Sequence, residues 1–157
     1  MYGFIVLLIR ASSWSSSRAA GDPLLGPRAR SGIANVSNSQ IVSIVDDDAS
    51  VRGAMESLVR SLGLVAFAFE SAEDFLGSPR VDDSDCLITD LQMPGTSGLD
   101  LQDRLIARGS RIPIIFITAF PEKAVRCRAK AGGAVAFLEK PFGAGAMIEV
   151  LRRALAA

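Results

Sequence analysis

From residue 40 onward, short apolar runs alternate with longer stretches in which apolar residues recur every three or four positions. The runs IVSIV (41–45), LVAFAF (64–69), DCLITD (85–90), IPIIFIT (112–118) and AVAFL (134–138) are too short for helices. They are rich in β-branched and aromatic residues, and they predict strands. The stretches between them carry a helical period. ASVRGAMESLVRSLG (49–63) puts Val51, Met55, Leu58, Val59 and Leu62 on one face and stops at Gly63. SAEDFLGS (71–78) opens on a Ser that caps a short helix. LDLQDRLIARG (99–109) is amphipathic through Leu101, Leu105 and Ile106. PEKAVRCRAKAGG (121–133) has Pro at its start and Gly at its end, and GAMIEVLRRALA (145–156) spaces Ile148, Leu151 and Leu155 along one face.

The order is strand then helix, five times over. It predicts an α/β fold, a (βα)5 doubly wound parallel five-stranded sheet with helices on both faces and right-handed crossovers. The strands are continuously apolar rather than alternating, as burial on both faces requires. In such sheets the site lies beyond the carboxyl ends of the strands, where strand order reverses.

Reading off those ends isolates a small set of polar side chains. Asp46, Asp47 and Asp48 follow the first strand, Asp90 ends the third, Thr118 ends the fourth and Lys140 follows the fifth. Converging carboxylates raise one another's pKa unless a cation relieves them. An all-oxygen set in a chain without histidine favours Mg²⁺ over Zn²⁺. The rest suits phosphoryl chemistry: a carboxylate can accept a phosphoryl group, with a lysine, a hydroxyl and the metal steadying its oxygens. Asp90 is the best nucleophile, alone on its strand and followed by the open loop LQMPGTSG. Asp48, just before ASVR, reads as a helix N-cap rather than a ligand.

Composition narrows the field further. The absence of histidine removes every Ser-His, Cys-His and His-metal site. Cys86 and Cys127 form no metal spacing and read as reduced thiols of a cytoplasmic protein. The first 38 residues carry a net charge of +3 and the remainder −3, so the body does not look like a nucleic-acid binder. GFIVLLI (3–9) falls far short of the ~20 apolar residues of a membrane span. With the Ser-, Gly-, Pro- and Arg-rich segment behind it, residues 1–39 read as a disordered or non-functional extension of a domain at 40–157.

VDDD (45–48), TDLQMPGTSG (89–98), FITA (116–119) and FLEKPF (137–142) together resemble the receiver domain of two-component response regulators. The wording VDDDASVR, FITAFP and FLEKPF is most similar to receivers of nitrogen-fixation-type transcriptional regulators. The resemblance implies a flavodoxin-like receiver that acts as a signalling phospho-acceptor rather than as an enzyme in its own right. It implies Asp90 as phospho-acceptor, and Asp46, Asp47, Asp90 and the Gln92 backbone carbonyl as ligands of Mg²⁺ (or Mn²⁺). Thr118 becomes the switch hydroxyl, Phe137 the switch aromatic and Lys140 the phosphoryl-sensing cation, with Pro141 in a cis linkage. Gln92 and Phe120 flank the approach of hydrolytic water and would tune the lifetime of the phosphoryl group. A sensor histidine kinase or phosphotransfer protein would be the donor. The face of the predicted fourth helix, fifth strand and fifth helix would serve a downstream protein or a phosphorylation-dependent homodimer, with neither nucleic acid nor membrane bound directly. The close of the chain at Ala157 leads us to expect a stand-alone receiver rather than a fragment of a longer regulator.

Two rival readings differ in kind. Asp46-x-Asp48-x-Ser50 resembles the opening motif of haloacid-dehalogenase-type phosphatases, with Asp46 as nucleophile and Asp48 as acid/base, but Glu149 is the sole acid after Lys140 and the late acidic pair is missing. A phosphorylation-independent pseudo-receiver would have lost an acid or the lysine, and none is lost here.

Overall fold

The computed structural model describes residues 39–156, so all but the last residue of the expected N-terminal extension lies outside the described residues. Five parallel strands form one sheet: β1 (Ile41–Val45), β2 (Val65–Phe69), β3 (Cys86–Asp90), β4 (Ile114–Thr118) and β5 (Ala136–Glu139). Their order is β2-β1-β3-β4-β5, so the sense in which successive strands are added reverses between β1 and β3. The helices are α1 (Ala49–Ser61), α2 (Ala72–Leu76), α3 (Arg80–Asp83), α4 (Gly98–Ala107), α5 (Lys123–Ala131) and α6 (Ala144–Leu155). Among the described residues no helix is long and apolar enough to cross a membrane.

The continuous apolar strands divide their side chains between two cores. Val42, Ile44, Cys86, Ile88, Ile115 and Ile117 face α1 and α6, where Met55, Val59, Met147 and Leu151 close the layer. Val45, Leu87, Ile114 and Phe116 face the other layer, built from Phe75, Val81, Leu101, Leu105 and Ala129. Period-two geometry sends neighbouring strand residues to opposite faces, and both are covered. Burial lifts the Cys86 thiol to about 12, with the Asp85 charge adding to it, so it stays protonated and inert. Cys127 is exposed, and both cysteines are free.

Several boundaries differ from the periodic reading. The single turn α3 was not expected, because RVDD holds one apolar residue and shows no period. The predicted fourth and fifth helices are therefore α5 and α6. β4 begins at Ile114 rather than 112 because Pro113 has no N–H for the ladder, although its carbonyl accepts from Leu87 N–H. α5 begins at Lys123, two residues after Pro121, and β5 runs from Ala136 to Glu139 rather than from 134 to 138. Ile106 is 49% exposed and no part of the core, since it lies ~100° around the helix from buried Leu105.

Candidate functional site

The reversal of strand order sets the ends of β1 and β3 side by side, with Val45 paired to Thr89. Asp46 leaves β1 just beyond this pair and Asp90 ends β3. Oxygens of Asp46, Asp47 and Asp90 come within 4.8 Å of one another. Asp46 and Asp90 are buried and Asp47 is exposed, so the group opens to solvent on one side.

Each buried carboxylate is held at both oxygens. Asp46 accepts from Asp48 N–H at 2.8 Å through Oδ1 and from Lys140 Nζ at 3.2 Å through Oδ2. Asp90 accepts from Gln92 N–H at 3.0 Å through Oδ1 and from Lys140 Nζ at 2.8 Å through Oδ2. Lys140, one residue past the end of β5, thus bridges the two acids, and its own peptide bond to Pro141 is cis. Burial pushes the Asp46 carboxyl up, against the Asp48 N–H and the Lys140 charge that favour its ionised form; the nearby Asp90 charge pushes the same way as burial. Burial pulls Lys140 down, but its hydrogen bond to Asp90 and the two carboxylate charges outweigh that and raise it. A cluster whose burial penalises negative charge, with hard oxygen donors only, fits a hard divalent cation such as Mg²⁺. Asp46, Asp47 and Asp90 are the side chains that would hold it.

The backbone around the acids is itself clamped. Arg52 on α1 donates from Nη1 to the carbonyls of Asp46 (2.7 Å) and Asp47 (2.9 Å). A cation one turn into the helix after an acidic run was the available sequence signal, and the strand-end reading passed over it. Asp48 is the N-cap of α1, accepting from Ser50 N–H and Val51 N–H. That engagement takes its carboxylate away from the acid/base role a haloacid-dehalogenase site needs. On the far side, Gly98 opens α4 so close to β3 that a Cβ there would lie 2.3 Å from the Asp90 carbonyl, which leaves glycine as the residue that fits.

Thr118 is buried and stands one residue beyond the β4 partner of Asp90, which is Ile117. Its Oγ1 accepts from Phe120 N–H at 3.1 Å and its carbonyl accepts from Lys140 N–H at 2.8 Å. The hydroxyl oxygen is thus engaged by its own loop, and it makes no hydrogen bond to Asp46, Asp47 or Asp90. Phe137 is half-buried, stacked on Phe116 with ring centroids 5.4 Å apart, and the Arg126 guanidinium lies 5.6 Å above it. Gln92, Thr118 and Phe120 line a small cavity of about 120 Å³ beside Leu91 and Val125, and the Phe120 ring is 67% exposed.

Residues 42–152 match the response regulator receiver domain family. The chain is similar to nodulation protein W of Bradyrhizobium diazoefficiens, 44% identical over 115 residues, covering 73% of this chain and 51% of that protein. It is also similar to the transcriptional regulatory protein FixJ of Azorhizobium caulinodans, 39% identical over 114 residues, covering 73% of this chain and 54% of that one. Among solved structures, FixJ-N superposes with a TM-score of 0.68 at 36% identity, over 75% of this chain and 94% of its own. The chain spans about half the length of the curated relatives it matches. With the acidic ends of β1 and β3 meeting at the switch point of a 2-1-3-4-5 sheet, these matches show that the chain belongs to the response regulator receiver domain family.

Proposed function

We propose that the receiver accepts a phosphoryl group on Asp90 from the phosphohistidine of a sensor kinase or phosphotransfer protein, or from a small phosphodonor. The observation that carries this reading is Lys140 Nζ bridging Asp46 and Asp90 beside the exposed Asp47. An Asp90 carboxylate oxygen forms the bond to phosphorus while the phosphorus–nitrogen bond of the donor breaks and its electron pair leaves with the imidazole. Lys140, already within reach of Asp90 Oδ2, remains to pair with a phosphoryl oxygen. Bound Mg²⁺ supplies charge neutralisation for the carboxylates and the phosphoryl oxygens. Asp46, Asp47 and Asp90 would hold that ion, with the Gln92 carbonyl completing the protein's share.

Thr118 and Phe137 form the readout. The phosphoryl group hydrogen-bonds the Thr118 hydroxyl in one of two conformers, so phosphorylation shifts the population toward the conformer with Phe137 turned inward. The face of α5, β5 and α6 then changes for a downstream protein or a second copy. The half-buried ring of Phe137 and the present Thr118–Phe120 contact support this as the starting conformer. Gln92 and Phe120 tune the lifetime of the phosphoryl group. The family match over 42–152 supports reading 40–157 as the receiver unit of a cytoplasmic signalling protein.

The deciding experiment is mapping of acid-labile phosphate after incubation with acetyl phosphate and Mg²⁺. Label on Asp90, lost in Asp90→Asn, supports the reading. Label on Asp46, or undiminished label in the variant, sinks it.

A further inference from the structure

The loop after Asp90, residues 91–97, is held at three places. Its base closes where Gly98 N–H donates to the Leu91 carbonyl at 3.1 Å and Leu91 N–H to the Ile117 carbonyl at 2.9 Å. Its front is the Gln92 N–H on Asp90. The third tie comes from outside both strands: Thr96 donates its hydroxyl to Glu73 Oε1 in the first turn of α2.

Three features make this tie more than an incidental surface contact. Thr96 is buried, so its hydroxyl needs a partner. The polar side chains that follow it in the chain are taken, because Ser97 and Asp100 satisfy each other in the capping box of α4. Gly95, in the left-handed region at φ +78°, bends the loop apex so that a Cβ there would meet Glu73 Oε1 at 3.9 Å, which lays the Glu73 side chain over the apex. The Thr96 hydrogen bond also holds the Glu73 carboxyl below its usual range, with the Arg104 charge adding to it, and the acceptor stays ionised at neutral pH.

We propose that Glu73 is a positioning residue for the phosphoryl-transfer site: through Thr96 it holds the 91–97 loop, and with it Gln92, in place beside Asp90. This rests on the reading of Asp46, Asp47 and Asp90 as a Mg²⁺ site. α2 contributes no side chain to the acidic cluster, and the tie gives it a route there. Coupling between sites is reciprocal, so a partner that draws Glu73 away from the loop weakens Mg²⁺ binding, and Mg²⁺ opposes that partner.

The test is calorimetric titration of Mg²⁺ into the full chain and into Thr96→Ser, Thr96→Val, Glu73→Ala and the Thr96→Val/Glu73→Ala double variant. Hydrogen exchange at the Gln92 amide is followed in the same proteins without metal. Thr96→Ser keeps the hydroxyl and should match the wild type. Thr96→Val and Glu73→Ala should each weaken Mg²⁺ binding by about fivefold, less than the ~10–100-fold seen for a partner bonded directly to a ligand. The double variant should be no weaker than either single one, since both remove the same tie. Gln92 exchange should quicken in both single variants. Wild-type affinity and exchange in Glu73→Ala, which alters an exposed residue and leaves the core intact, overturn the proposal, as do losses that multiply in the double variant. Asp47→Ala keeps the two readings apart. Loss of Mg²⁺ binding there with no effect in Thr96→Val sinks the positioning role alone. A wild type that binds no Mg²⁺ sinks the metal site, and the metal-free exchange then decides whether Glu73 holds the loop.

Discussion

The helices that follow the Asp90 strand and the Thr118 strand pack into the same layer, yet they are held very differently. α4 buries Gly98, Leu99, Leu101, Gln102 and Leu105, and its N-terminus is closed by a reciprocal capping box. α5 buries Ala129 alone and has no side-chain cap. It carries Lys123, Arg126, Arg128 and Lys130 with no acid among its residues. Gln102 ties the end of α5 to α4 by donating to the Ala129 carbonyl at 3.0 Å, so the better-packed helix anchors the other at its last turn. Local stability follows buried apolar contact, and elements that move in switching come from its low end. The helix after the Asp90 strand is thus firmly seated, and the helix after the Thr118 strand, in the readout half of the proposed switch, is loosely seated.

The largest effects should separate acceptor from readout. Asp90→Asn should lose all acid-labile phosphate while keeping its fold, because an amide oxygen can still accept from Gln92 N–H. Thr118→Ala should be labelled normally but fail to pass the signal on. In the wild type, phosphorylation should change hydrogen exchange in α5 and leave α4 unaffected; in Thr118→Ala neither helix should respond. An α4 response equal to that of α5 would overturn the division.

Metal binding comes next. Asp47→Ala removes an exposed carboxylate of the proposed Mg²⁺ site, so Mg²⁺ affinity should fall by more than the ~10–100-fold typical of an outer-shell loss. Mg²⁺ should raise the melting temperature of the wild type and leave that of Asp47→Ala unchanged, since only binding to the folded state stabilises it. Asp48→Ala should keep wild-type Mg²⁺ affinity, its carboxylate being occupied as the α1 cap. Equal losses in both variants would make Asp48 a ligand.

How much of this was legible beforehand follows the range of each interaction. Asp46, Asp47, Asp90, Thr118 and Lys140 stand out in the sequence because each interrupts or closes an apolar run, and the sheet then brings three of those runs' ends together. Asp48 could be read as a cap because its partners, Ser50 and Val51, are its neighbours. The Lys140 bridge to both acids spans 94 and 50 residues, and no local pattern encodes it. Nor does any pattern link Glu73 to Thr96 across 23 residues. The start of β4 was misplaced because Ile112 extends the apolar run past Pro113, where ladder geometry forbids it. Ile106 was misassigned because an apolar residue one step from a buried one looks like part of the same stripe.

The next effect in size concerns lifetime. Phe120, largely exposed, lines the small cavity it shares with Gln92 and Thr118. A phenyl ring there obstructs water and cannot orient it, whereas a carboxylate can. Phe120→Glu should therefore shorten the phosphoryl half-life by about tenfold, or ~1.4 kcal/mol of barrier. The check is decay of label after the donor is removed. Equal decay in variant and wild type would end the shielding argument and leave the acceptor half untouched.

The smallest effect bears most directly on how the two helices are held. Ser97 accepts from Asp100 N–H while Asp100 accepts from Ser97 N–H, so both partners of the α4 cap are engaged. Removing such a cap costs about 1 kcal/mol. Glu122 occupies the same position on α5 but makes no side-chain cap hydrogen bond. Its replacement by Ala should fall within the ~0.5 kcal/mol typical of surface substitutions. Urea unfolding of Ser97→Ala and Glu122→Ala measures both on one scale, and the midpoint should fall in the first and hold in the second. Installing a cap on α5 by Glu122→Ser should raise stability slightly while slowing the exchange of the first α5 amides. A variant stabilised in this way that still responds fully to phosphorylation would show that loose seating is not what lets α5 move.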